Sequence, residues 1–165
     1  DSSLKCRCKD RKNMAGNSLG KTKKFDRALY NRSDGKSKDV IVKYLRSKKH
    51  IITNVKEKFS CDIESISEDG TVCFSETEIK YGWKGEWPTH WVNVRIPYRK
   101  QRLINKIEKN LTFYVLRADC KESWVISDIA LKNYADIEEM PNKYVPEGEK
   151  FFCIHVSHIH KIVLD

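Results

Sequence analysis

The clearest pattern in the chain is an alternation between Cys61 and Lys80, CDIESISEDGTVCFSETEIK. Side chains along a strand point to opposite faces in turn. Phe74, Glu76, Glu78 and Lys80 therefore share one side of a predicted strand over 72–81, and Cys73, Ser75, Thr77 and Ile79 share the other. Glu68-Asp69-Gly70 supplies the turn before it, because glycine accepts the positive φ that a tight reversal needs. Residues 59–66 read as the preceding strand. Upstream, Val40, Ile41, Tyr44 and Leu45 recur at helical spacing. With N-cap oxygens available from Ser33 and Asp34, the pattern predicts a helix over 36–49 and a strand over 51–55. Residues 25–31 predict a separate turn or two of helix.

Downstream, 92–96 reads as a short strand. Pro97 opens a helix at a position where its missing N–H costs nothing, and the pattern continues to residue 109. Strands are predicted over 112–118 and 124–129 around a polar turn, then a short helix over 130–134. Residues 135–149 are acidic and hold two prolines, which reads as a surface loop, and 151–156 and 159–164 read as closing strands. The order helix, three strands, helix, two strands predicts an α/β fold: a central mixed β-sheet flanked by helices.

Length and charge add a partner to this picture. A chain of 165 residues suits one domain, divided here into a basic N-terminal arm over 1–24 and a single domain over 25–165. The net charge is +9. Residues 1–58 carry 18 Lys and Arg against 6 Asp and Glu, and the remainder carries 14 against 17. This asymmetry points to a polyanion, above all nucleic acid. No apolar run reaches the ~18 residues of a membrane span, so no membrane partner is expected. The segment DSSLKCRCKD has no apolar signal core. An intracellular, cytoplasmic setting follows (host cytoplasm for a viral protein), with the six cysteines free in a reducing compartment.

Two carboxylates and an ammonium in line near a strand end are poor core material and good material for a metal site. Phosphodiester hydrolysis needs an activated water and neutralisation of charge on phosphate oxygens. Mg²⁺ held by one or two carboxylates supplies both, and a lysine orients the water or stabilises the transition state. Asp62, Glu78 and Lys80 provide these parts if their strands are neighbours.

These residues resemble the PD-(D/E)xK nucleases, especially the Holliday-junction-resolvase-like and small phage or repair members. Asp62 stands at the first acid and Glu78-Ile79-Lys80 at the E-x-K. GKSKDVIVKYLRSKKHIITNV looks like the family's first helix and strand. IPYRKQRLINKIEKNLTFYVLRA looks like its later helix and strand, with Gln101 where many members carry a glutamine. The resemblance covers residues 34–129. It implies a restriction-endonuclease-like core (helix, three strands, helix, strand) and Mg²⁺ or Mn²⁺ at Asp62, Glu78 and the carbonyl of Ile79. Cys61 replaces the proline of the motif. Asp39 is the nearest match to the acid often found on the first helix, unless it is only an early acid favoured by the helix dipole.

The implied activity is a metal-dependent endonuclease that hydrolyses phosphodiester bonds in DNA. Asp62, Glu78 and Lys80 would be catalytic, with Asp39 and Gln101 as helpers. Lys36, Lys38, Lys84, Arg95, Arg99, Lys100 and Arg102 would contact phosphates, which give affinity without reading sequence. A homodimer would suit paired cuts on two strands. The competing class is a non-catalytic nucleic-acid-binding module whose acids pair with lysines.

Three further features need a place. Glu76 shares the face of Glu78 and reads as a solvated strand acid, with a second metal as the alternative. Trp83, Trp87 and Trp91 recur in a Gly- and Pro-bearing segment, where they stack on bases, pack in the core or meet a second subunit. Cys153, His155, His158 and His160 lack the spacing of a zinc knuckle and read as ordinary strand residues.

Overall fold

A computed structural model describes residues 27–55, 61–141 and 147–164, with side chains from residue 35 onward. The expected basic arm over 1–24 lies outside the described residues. Helix α1 spans Arg27–Ser47, followed by strands β1 (Ile51–Val55), β2 (Ile63–Ile66), β3 (Val72–Lys80) and β4 (Asn93–Pro97). A 3₁₀ turn over Tyr98–Lys100 leads into α2 (Gln101–Ile107). Then come β5 (Leu111–Arg117), β6 (Glu122–Ser127), α3 (Asp128–Tyr134), β7 (Asp136–Met140), β8 (Glu149–His155) and β9 (His160–Val163).

Six strands form a mixed sheet in the order β1-β2-β3-β5-β6-β9. The first three make an antiparallel meander, β5 lies parallel to β3, and β6 and β9 continue antiparallel. The expected α/β architecture with a central mixed sheet is therefore present. A second, antiparallel sheet of three strands, β4-β8-β7, was not expected.

Alternation along β5 shows how the layers stack. Tyr114 and Leu116 face α1, where Ile41 and Leu45 pack with Ile63, Cys120 and Leu164. Phe113 and Val115 face the other way, into a larger cluster built from Trp83, Val94, Ile96, Ile104, Trp124, Ile126, Leu131, Phe152 and Ile154. The six-stranded sheet thus lies between α1 and a layer made by the second sheet, α2 and α3. No helix of the described residues is long and apolar enough to cross a membrane.

Several boundaries differ from expectation, each for a local reason. Helix α1 begins at Arg27 and runs through Ser33, Asp34 and Gly35, so the two predicted helices are one and Asp34 is not its cap. Helix α2 is preceded by a 3₁₀ turn and ends early, because Glu108 (φ 77°) and Asn110 (φ 61°) adopt left-handed backbone. Residues 136–140 form an edge strand inside the predicted loop. Asp136, Glu138 and Glu139 hide it from a hydrophobic pattern while protecting the edge from unwanted pairing. Helix α3 starts where Ser127 accepts a hydrogen bond from the N–H of Ala130 at 3.0 Å.

Candidate functional site

Strand β2 pairs with β3 through Ile63 opposite Ser75, and no earlier residue of β2 continues the ladder. The edge of β3 from Glu76 onward therefore loses its strand neighbour, and its buried N–H groups need other acceptors. Asp62 supplies one. Its Oδ2 accepts from the backbone N–H of Thr77 at 2.9 Å and lies 3.4 Å from the Thr77 hydroxyl. Glu76 returns the bond, its Oε2 accepting from the N–H of Asp62 at 2.8 Å. The two carboxylates are locked together by backbone.

Each acid also faces a lysine from a different layer. Lys38, on α1, places its Nζ 3.7 Å from Asp62 Oδ1. Lys100, at the end of the 3₁₀ turn, donates to Glu76 Oε1. All four side chains are buried. The row Lys38, Asp62, Glu76, Lys100 thus crosses the sheet from α1 to the second layer, with two positive and two negative charges. Beside it, Ser37 and Thr77 share a hydrogen bond at 2.9 Å, which fixes α1 against β3. Glu76 is consequently not the solvated strand acid its sequence position suggested. Its face of β3 is covered by the segment that carries Lys100.

Glu78 and Lys80 lie further along the same face of β3, both half-buried. Burial holds the Lys80 ammonium below the ordinary lysine value; Glu78 opposes the shift and Arg95 reinforces it. Its Nζ stands 5.2 Å from the centre of the Trp91 ring, a cation–π contact. Ile79, between them, packs its side chain beneath α1 and pairs with Leu116 of β5.

The other expected residues divide by exposure. Asp39 is exposed on the outward face of α1 and is not gathered with the acid pair. Gln101 is half-buried and donates to Asn105 at 3.2 Å, one turn along its own helix. Of the basic residues expected on phosphates, Lys36, Lys84, Arg95 and Arg102 are exposed. Lys38 and Lys100 are engaged with carboxylates, and the Arg99 side chain is sequestered 3.7 Å from Glu149. These three do not present their charges to solvent.

The tryptophan segment is mainly core. Trp83 is fully buried, with Trp87 edge-on at 5.1 Å and Trp124 at 6.4 Å. Trp87 in turn donates to the carbonyl of Trp91 and meets its ring at 5.0 Å. Free thiols are found at Cys61, Cys73, Cys120 and Cys153, while Cys6 and Cys8 lie outside the described residues. Cys61, next to Asp62, has its thiol pushed up to about 12 by burial and by Glu76. In the tail, His155 bonds Ser157 and His158 stacks on Tyr134 at 4.0 Å.

Sequence reading missed Lys38, Glu76 and Lys100 as members of the cluster. One signal was available: Glu76 is directly opposite Asp62 if the hairpin turns at Glu68–Gly70. Comparison of the chain with protein-family models, with curated proteins and with solved structures gives no match.

The donor chemistry decides which metal the cluster suits. Among the described residues no three His, Cys, Asp or Glu side chains converge. Zinc takes three or four protein ligands. Mg²⁺ and Mn²⁺ are satisfied by one or two carboxylates with water completing the shell. The linked pair Asp62 and Glu76 has the right donor type, but its four oxygens already face the Thr77 N–H, Lys38, the Asp62 N–H and Lys100. Glu78, half-buried, lies one strand repeat away.

Proposed function

We propose that this domain is a metal-dependent endonuclease acting on DNA, with Asp62 and the acids of β3 as its centre. The observation that carries the reading is the position of Asp62. It leaves the end of β2 and binds β3 at Thr77, between Glu76 and Glu78, with Lys80 at the carboxyl end of β3. That end lies beside the parallel neighbour β5, and the carboxyl ends of parallel strands are where α/β sheets favour ligand sites. The order helix, antiparallel meander, β4, helix and parallel strand supports the reading in part, with β4 and its sheet additional to the core that the PD-(D/E)xK resemblance implies.

In this reading Asp62 and Glu78 would hold Mg²⁺ or Mn²⁺, which would supply an activated water and neutralise phosphate charge. Lys80, desolvated against Trp91, stabilises the developing negative charge more strongly than an ammonium in bulk water would. Thr77 holds the Asp62 carboxylate in place from the backbone. Glu76 fixes the Asp62 main chain, and Lys100 fixes Glu76.

Glu78→Ala or Lys80→Ala is expected to abolish Mg²⁺-dependent cleavage of plasmid DNA while DNA binding persists. Undiminished cleavage in both variants would overturn the assignment. One observation favours a second reading, a non-catalytic nucleic-acid-binding module: Lys38 and Lys100 already neutralise the two buried acids. That reading predicts salt-sensitive DNA binding and no cleavage product with either metal.

A further inference from the structure

The outward surface of α1 is organised by the burial of its opposite side. Ser37, Lys38, Ile41 and Leu45 are buried against the sheet. The exposed positions Lys36, Asp39, Lys43 and Arg46 therefore fall on a single outward strip, since residues three, four and seven apart share a helix face. Lys48 and Lys49 follow beyond the helix end, both exposed, with the Lys48 ammonium 5.7 Å from the centre of the Tyr44 ring. From Lys36 to Arg46 the strip is ~15 Å long at the helical rise. One end is anchored beside the acid cluster, because Lys38 reaches Asp62. The other approaches the β2–β3 turn, where Lys49 stands 3.9 Å from Glu68. Both of those groups are more than two-thirds exposed, so this pair neutralises little of the strip.

We propose that this face of α1 is the surface that tracks the phosphate backbone of duplex nucleic acid beside the candidate site. The proposal rests on the reading of the site as one that acts on nucleic acid, and it names the surface that would hold the substrate. Three cations spaced along one helix face suit a partner with charge repeating along a line. Duplex DNA offers one phosphate per ~1.7 Å of axis, so several phosphates lie along any such row. Asp39 is the single acid within the strip and weakens it. Lys38 and Lys100, spent on carboxylates, contribute nothing to this face.

The test is fluorescence anisotropy of a labelled duplex oligonucleotide with the full chain, in EDTA, across a series of salt concentrations. Each phosphate contact contributes about 0.9 to the slope of log K against log salt. Lys43→Ala/Arg46→Ala should therefore flatten the slope by about 1.8. Asp39→Asn should bind more tightly than the wild type. Lys109→Ala/Lys150→Ala, which removes the same charge from exposed positions on other elements, should leave the slope unchanged. An unaltered slope in the α1 variant, or an equal loss in the control pair, overturns the proposal. So does equal competition by anionic lipid vesicles. Because EDTA removes metal-dependent cleavage from the measurement, failure of the nuclease reading leaves this result independent. Cleavage retained with an unchanged slope would overturn the α1 face alone.

Discussion

Replacing Lys100 with methionine would remove the cation from Glu76 while retaining a side chain of similar length. Lys100 is 3% exposed and Glu76 5% exposed, so the carboxylate would be left charged and out of reach of bulk water. Breaking a buried ion pair from one side costs about 3–5 kcal/mol. For a domain of this size each kcal/mol corresponds to about 2–4 °C of melting temperature. Lys100→Met should thus melt about 6–20 °C below the wild type at neutral pH, nearer the lower value because the Asp62 N–H still donates to Glu76. The deficit should narrow as the pH falls, since a protonated Glu76 no longer buries a charge. The double variant Glu76→Gln/Lys100→Met should recover most of the loss, because removing both charges of a buried pair is often close to neutral and the amide oxygen still accepts from Asp62. Thermal and urea denaturation followed by circular dichroism would measure all three. A single variant within ~1 kcal/mol of wild type, or a double variant no better than the single, would refute the reasoning.

Two further outcomes follow from the surroundings of β3. The Lys80 amine should titrate below the exposed lysines by side-chain NMR, because burial is the main cause of its lowered value. Trp91→Ala, which opens it to water, should move it back upward; a normal titration in the wild type would contradict this. Cleavage that uses the Lys80 charge should decline as the pH rises through that lowered value. The Cys61 thiol, pushed up to about 12, should resist a thiol reagent at neutral pH in the native protein and react fully in denaturant. Equal rates in both conditions would show that the residue is not enclosed beside Glu76.

Much of the six-stranded sheet was legible because its strands either alternate or carry dense apolar runs. β3, β5 and β6 have one or both faces against a core, so their burial writes itself into residue type. β7 was not legible, since an exposed acidic edge strand has no apolar face to reveal it. The second sheet was equally hidden: β4 and β8 were recognisable as strands, but nothing local tells which sheet a strand joins. At the site, type and spacing single out Asp62, Glu78 and Lys80; Asp62 is bonded to Thr77, and Glu78 and Lys80 lie further along β3. The lysines that face Asp62 and Glu76 could not be singled out, because Lys38 and Lys100 look like surface lysines in the sequence. Only tertiary contact shows that one reaches down from α1 and the other from the turn before α2. Glu76 was misjudged for the same reason. Solvation of a strand face depends on what covers it, and the covering residues are 24 positions away in the chain.

Metal-dependent hydrolysis by the acids around Asp62 is the central claim to test. Incubating the purified chain and its Asp62→Asn variant with supercoiled plasmid, in Mg²⁺, in Mn²⁺ and in EDTA, addresses that directly. The expected result is nicked or linear product from the wild type with either metal, none in EDTA, and none from the variant. Intact plasmid under every condition, with DNA bound, would contradict the nuclease reading and leave the non-catalytic module in its place.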